Sequence, residues 1–238
     1  MTGGLRPAAL PELEPRIAGA ADESFSVAVP SRGSVSAVRT QPGAGQPATL
    51  VVYAPGAGAG LNDPFGAFLA AALAERGLAC VRFQFPYREA GRSGPDPPAV
   101  LEATWRAVVE AVRIPDARLA IGGRSMGGRI ASQVAAQGLA VDALLLFAYP
   151  LHPPGQPERL RDAHLPAIGA PTLFCSGTRD AFATPDELRL AAAKVPKGLV
   201  HLLEGADHGF AGTKGSGRTR KDIWTEAAEA ALSFLLSS

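Results

Sequence analysis

Three residues of the 238-residue chain have types and spacing suited to acyl transfer: Ser125, Asp180 and His208. Ser125 lies in Gly123-Arg124-Ser125-Met126-Gly127, a Gly-x-Ser-x-Gly run between the apolar Leu119-Ala120-Ile121 and the helix-like Ile130 to Gln137. A serine on a tight strand-to-helix turn has its hydroxyl lifted above the sheet, and the residues two away must be nearly free of side chain. Gly123 and Gly127 meet that demand, and Gly128 leaves further room for the helix. The pattern alone also occurs by chance as a glycine-rich turn, so its surroundings must decide. A serine hydroxyl is a weak nucleophile until a base removes its proton. His208, in Asp207-His208-Gly209-Phe210, is suited to that task, and Asp180, after Gly177-Thr178, to orienting the imidazole and stabilising its cation. Taken singly, Asp180 reads as a turn residue, as Asp63, Asp162 and Asp186 do, and Asp207 competes for the acid role. A residue next to His208 in an extended loop generally points elsewhere, which favours Asp180.

An oxyanion formed at the reacting carbonyl needs preformed donors. The backbone amide of Met126 at the helix start is one, and Ala57, in the loop Pro55-Gly56-Ala57-Gly58-Ala59-Gly60, is the expected second. Each such donor contributes about 3 kcal/mol of transition-state stabilisation.

The elements that must hold these residues alternate. Ser24 to Val29 and Val35 to Val38 alternate apolar and small polar residues across Pro30-Ser31-Arg32-Gly33, a β-hairpin signature. Strands are expected over Ala48–Ala54, Cys80–Phe85, the elbow strand ending before Ser125, Ala143–Ala148, Pro171–Cys175 and Leu199–Leu203. Helices are expected over Pro64–Arg76, Ala99–Arg113, Ile130–Gln137, Asp186–Lys194 and Ile223–Leu236, with Gly91 to Pro98 irregular. This alternation predicts an α/β fold, a mostly parallel, doubly wound sheet with an antiparallel hairpin at its leading edge. Ligands of such sheets sit beyond the carboxyl ends of the strands, and Ser125, Asp180 and His208 each follow a strand.

Composition bounds the rest. A chain of this length with 47% hydrophobic residues suffices for one large domain, here expected over residues 23–238 with Met1 to Asp22 as a poorly ordered tail. A net charge of +1 with 19% charged residues gives no reason to expect a nucleic-acid or membrane partner. Neither a metal nor a cofactor is called for. Cys80 and Cys175 fall in apolar runs, where buried, unpaired thiols are expected, and a reducing cytoplasm fits them. Gly56 to Gly60 is no dinucleotide fingerprint, and Lys214 to Lys221 reads as a solvated loop. His201 reads as packed within its strand, His164 as a surface residue, and His152 is open to two readings, pocket lining or structural.

From about Thr49 onward the chain resembles the small single-domain α/β-hydrolases related to dienelactone hydrolase. More narrowly, it resembles bacterial members that share their domain with a eukaryotic chromatin-complex subunit and a testis-expressed protein. The residues that carry the resemblance are Gly56 to Gly60, Phe83 to Arg88, Gly123 to Gly127, Tyr149 to Gly155, Gly177 to Asp180, and Asp207-His208. The sequence departs from the pattern at Pro55, where a histidine usually precedes the glycine. The resemblance implies an α/β-hydrolase fold and serine esterase-like chemistry on Ser125, Asp180 and His208, with no cofactor. Dienelactone hydrolases proper use a cysteine nucleophile, so lactone specificity does not carry over. The short, proline-rich connection from Ala148 to Thr172 leaves no room for a separate cap domain, and Leu151 to Pro166 would cover the site lightly. Gly56, Gly58, Phe65, Tyr87, Arg88, Arg124, His152 and Phe182 are expected near a small-molecule ester or thioester, with Arg88 or Arg124 meeting a substrate carboxylate. A serine peptidase or a non-catalytic interaction module are the alternatives, and the oligomeric state is left open.

Overall fold

The computed structural model describes residues 21–43, 45–213 and 217–237. Its centre is an eight-stranded sheet: β1 (Ala21–Val29), β2 (Gly33–Gln41), β3 (Thr49–Ala54), β4 (Ala79–Phe83), β5 (Arg118–Arg124), β6 (Ala143–Phe147), β7 (Thr172–Gly177) and β8 (Gly198–Leu203). The spatial order is β1-β2-β4-β3-β5-β6-β7-β8. β1, β2 and β4 pair antiparallel, and every other neighbouring pair is parallel. The helices are α1 (Pro64–Ala74), α2 (Pro86–Glu89), α3 (Pro98–Val112), α4 (Met126–Ala136), α5 (Pro185–Ala192) and α6 (Arg220–Ser237). α1 packs against α6, and α3 against α4.

The apolar runs of the central strands follow from burial on both faces. Leu50, Val52, Ile121, Leu144, Leu146 and Phe174 belong to one hydrophobic core, and Val51, Tyr53, Ala120, Leu145, Phe147 and Cys175 to the other. The hairpin alternates instead: Val27, Val29, Val35 and Ala37 are buried while their neighbours are partly or fully open. The chain steps one way from β3 to β4 and then crosses back to β5, so the connections diverge beside the β3 and β5 ends, where a crevice is expected.

The differences from expectation lie at element ends. Ala21 and Asp22, assigned to the tail, belong to β1. They pair with Gln41 and Thr40, and the Asp22 carboxylate accepts from the Thr40 hydroxyl at 2.6 Å. The rest of the expected tail, residues 1–20, lies outside the described residues. The Pro86-Tyr87-Arg88 stretch forms a short helix, because Pro86 at its first position has the required φ and no amide to satisfy. α1 closes two residues early, where Gly77 turns the chain at φ 81°. α6 begins at Arg220 because Thr219 caps it: the Asp222 amide donates to the Thr219 hydroxyl at 3.2 Å and the Thr219 amide to the Asp222 carboxylate at 2.7 Å. Arg220 and Lys221, read as loop, are therefore helical, while Lys214 to Ser216 lie outside the described residues.

The connection from Ala148 to Pro171 contains only a single 3₁₀ turn, Leu165–Ala167, and forms no separate cap domain. It folds back on the core: Tyr149 donates to the Arg161 carbonyl at 2.9 Å, and Asp162 pairs with Lys194 at 2.6 Å.

Candidate active site

The turn after β5 places Ser125. Its φ of 52° and ψ of −119° are rare for a residue with a side chain and cost about 1–3 kcal/mol, so the surroundings must impose them. They do so from both sides: the Ser125 amide donates to the Phe147 carbonyl at 2.8 Å, and the Ser125 carbonyl accepts from Arg129 at 3.0 Å as α4 begins. The flanking glycines are spatial necessities. A Cβ on Gly123 would lie 2.1 Å from the Ala54 carbonyl oxygen, and one on Gly127 2.2 Å from that same oxygen.

β7 and the chain after it place Asp180. Its side chain is fully buried, with one oxygen accepting the Phe182 amide at 2.9 Å and the other the Ser176 hydroxyl at 3.2 Å. Both oxygens lie 2.9 Å from His208 Nδ1, and His208 Nε2 lies 2.9 Å from the Ser125 hydroxyl. The loop after β8 presents His208 in one orientation because Asp207 braces it, accepting from the amides of Gly209 at 2.8 Å and Ala211 at 2.9 Å. Asp207 is therefore occupied away from the imidazole. Serine, histidine and aspartate form one unbroken hydrogen-bonded line at the carboxyl ends of β5, β7 and β8.

Next to this line runs the loop after β3. Gly56 passes so close that a Cβ there would stand 3.5 Å from the Ser125 Cβ. The Gly56 carbonyl accepts from the Ala59 amide at 3.1 Å, which turns the other end of that trans peptide, the Ala57 N–H, in the opposite direction. Among the described residues, neither the Ala57 nor the Met126 amide donates to any protein acceptor. Two unspent amides flank the serine. The loop is held from outside by Tyr87, whose buried hydroxyl donates to the Ala57 carbonyl at 2.7 Å. Burial raises the Tyr87 pKa and keeps that donor protonated.

The remaining expected residues divide. Arg88 is partly exposed, donates to the Arg92 carbonyl at 3.3 Å, and borders a hollow of about 380 Å³ with Gly58, Gly60 and Gln84. Arg124 Nε is buried without an acceptor. Phe182 lies against His208, ring centroids 4.1 Å apart at 30°. Phe65 is not at the site: it is fully buried in an aromatic cluster, 5.1 Å from both Phe147 and Phe210. His152 is buried, with Nδ1 2.8 Å from the Pro153 carbonyl and Nε2 3.2 Å from Glu187, a residue of the box that caps α5.

Two other histidines differ from expectation. His201 pairs with Glu226 at 2.9 Å and is partly exposed, because β8 is an edge strand. His164 is half-buried with Nε2 2.8 Å from the Ser132 hydroxyl, and burial depresses its pKa. Ser176, which supports Asp180, escaped sequence reading. Its only signal is a polar residue at the end of an apolar strand.

A strand-to-helix serine at the centre of a mostly parallel eight-stranded sheet, hydrogen-bonded through histidine to an acid after β7, defines the α/β-hydrolase fold. The model of the alpha/beta hydrolase domain matches residues 47–236, and the chain belongs to that family. Among solved structures, it is similar to an alpha-beta serine hydrolase homologue from Coxiella burnetii at 21% identity and TM-score 0.72, covering 91% of this chain and 97% of that one. It is similar to Est1E from Butyrivibrio proteoclasticus at 12% identity and TM-score 0.70, covering 90% and 99%. A dienelactone hydrolase from Anabaena variabilis is similar at 19% identity and TM-score 0.68, covering 88% and 96%. At these identities the likeness concerns the fold.

Proposed function

We propose that the chain is a serine hydrolase that cleaves carboxyl esters or thioesters of small molecules through an acyl-enzyme on Ser125. The observation that carries this reading is the continuous line from Ser125 through His208 to Asp180, with two unspent amides beside the serine.

The Ser125 oxygen attacks the substrate carbonyl carbon as its proton passes to His208 Nε2, and the carbonyl electron pair moves onto oxygen to give an oxyanion. The amides of Ala57 and Met126 receive that oxyanion. As it collapses, the bond to the leaving group breaks and His208 returns the proton to the departing alcohol or thiol. Water then repeats the sequence on the acyl-enzyme, with His208 as base, releasing the acid and restoring Ser125. Asp180 keeps the proton on Nδ1 throughout and compensates the imidazolium.

Arg88, bordering the hollow next to the oxyanion loop, is suited to a substrate carboxylate. Arg88→Ala should raise KM for acidic esters and leave neutral esters unchanged; an equal effect on both removes Arg88 from that role. The unpaired thiols Cys80 and Cys175 suit a reducing compartment, which supports placing the protein in the cytoplasm. No described helix is long and apolar enough to cross a membrane.

Intact-mass analysis after treatment with a fluorophosphonate tests the reading. One adduct is expected on the wild type, none on Ser125→Ala, and a strongly slowed adduct on His208→Ala. A folded wild type that takes no adduct assigns this site to a non-catalytic interaction module instead.

A further inference from the structure

The turn that carries His208 closes on itself. The Asp207 amide donates to the Ala211 carbonyl at 3.0 Å, and the Asp207 carboxylate accepts from the amides of Gly209 and Ala211. Among the described residues, every hydrogen bond that leaves residues 207–211 comes from the His208 ring, so the turn is otherwise placed by packing. Phe210 is its one fully buried member. It stands at φ 57°, a left-handed conformation that phenylalanine disfavours and that persists only where the surroundings impose it. The ring so directed meets Phe65 edge to face, centroids 5.1 Å apart at 90°.

Phe65 makes a second contact of the same kind. Its ring lies 5.1 Å from that of Phe147 at 69°, and the Phe147 carbonyl is the acceptor that holds the Ser125 amide at 2.8 Å. One ring therefore touches both the turn that presents His208 and the strand that holds Ser125. Tilted rings in a close-packed interior interlock, so a shift of one is passed to its neighbour. Phe65 is itself fixed from the β3 side. It lies in the first turn of α1, which Asp63 caps by accepting the Gly66 amide at 3.2 Å, and the Tyr53 hydroxyl of β3 bonds the same carboxylate. A Cβ at Gly66 would stand 2.5 Å from the Tyr53 ring, which shows how tightly α1 is seated there.

We propose that Phe65 is a positioning residue: through its contacts with Phe210 and Phe147 it sets, from within the core, the separation of His208 from Ser125. The inference rests on the hydrolase reading of those two residues. It gives a ring expected beside the substrate a part in turnover without substrate contact.

The test compares Phe65→Leu, Phe210→Leu and the double variant with Phe68→Leu. Phe68 lies on the same helix, and among the described residues its ring pairs with Trp224 alone, at 5.7 Å. Each variant is assayed on a neutral ester well below its own Tm, so that lost folding does not count as lost turnover. Phe65→Leu and Phe210→Leu should each lower kcat by about 10- to 100-fold with KM unchanged, and Phe68→Leu should keep the wild-type kcat. Because the contacts act in series, the double variant should lose no more than the worse single variant. Losses that multiply in the double variant, or a Phe68→Leu loss equal to that of Phe65→Leu, would reduce Phe65 to ordinary core packing and overturn the proposal. A second readout needs no turnover. In a crystal structure of Phe65→Leu, the Ser125 hydroxyl and His208 Nε2, 2.9 Å apart in the native chain, should stand beyond hydrogen-bond reach, at about 3.5 Å or more. Phe210→Leu, which leaves α1 whole, carries the same measurement should Phe65→Leu fail to fold. An unchanged distance would overturn the proposal whatever the kinetics. A wild type without ester turnover, with the distance opened in the variant, would count against the hydrolase reading and leave the positioning by Phe65 supported.

Discussion

The Tyr87 hydroxyl donates to the Ala57 carbonyl at 2.7 Å, tying the first turn of α2 to the loop that runs past Ser125. Ala57 uses its carbonyl for this bond and leaves its amide free. Tyr87→Phe keeps the buried ring and removes only the tether. The expected result is a loss of about tenfold in kcat, corresponding to one hydrogen bond of about 1.4 kcal/mol, with KM little changed. Steady-state kinetics on a neutral ester, with a transition-state analogue losing affinity in parallel, checks this. A rise in KM alone would place Tyr87 in substrate binding.

Gly127 faces the carbonyls of Ala54 and Pro55, and its missing side chain keeps the loop after β3 and α4 in contact. A Cβ there would stand 2.2 Å and 2.6 Å from those oxygens, so Gly127→Ala must displace the loop or the helix. Since a shift of about 1 Å in such a site costs on the order of 100-fold, kcat/KM should fall by at least that factor, together with Tm. Gly94→Ala is the control: no atom lies within 4 Å of a Cβ at that exposed position, and both quantities should hold.

The two thiols should be silent in the folded protein. Burial pushes the Cys80 thiol up to about 12 and the Cys175 thiol higher still. At pH 8 neither is a thiolate, and neither is exposed. A thiol-reactive disulfide reagent should release no chromophore from native protein and two equivalents after unfolding in guanidinium, matching the two cysteines of the chain. Rapid reaction of the native state would contradict the packing around β4 and β7.

His164 should couple stability to acid. Burial holds its pKa below the usual histidine value, so the unfolded chain takes up a proton at higher pH than the folded one. Its contribution is complete above the unfolded pKa of about 6.5 and is lost as pH falls through the folded value. Denaturant unfolding across that interval should show ΔG declining in wild type and declining less in His164→Gln. Equal slopes would mean that another group takes up the proton.

Much of this was legible in the sequence because the central strands are buried on both faces and read as uninterrupted apolar runs between glycines. The turn at Ser125 was readable for the same steric reason that makes Gly123 and Gly127 obligatory. His164 and His201 were misread because exposure depends on where an element sits in the sheet. β8 is an edge strand, which opens His201, and the Ala148–Pro171 connection folds back on the core, which half-buries His164 beside Ser132. The Tyr87 tether joins residues 30 positions apart through a hydroxyl and a main-chain carbonyl, and no side-chain pattern encodes a partner of that kind.

The separation of Ser125 and His208 along the chain has a consequence for synthesis. Ser125 leaves the ribosome 83 residues ahead of His208, and Asp180 lies between them. Until β7 and β8 have joined the growing edge of the sheet, Ser125 lacks its hydrogen bond to His208. The line from Ser125 to Asp180 is therefore assembled only after the long-range pairings are complete, since those form late in folding. Labelling of Ser125 would then report chains in which β7 and β8 are in place.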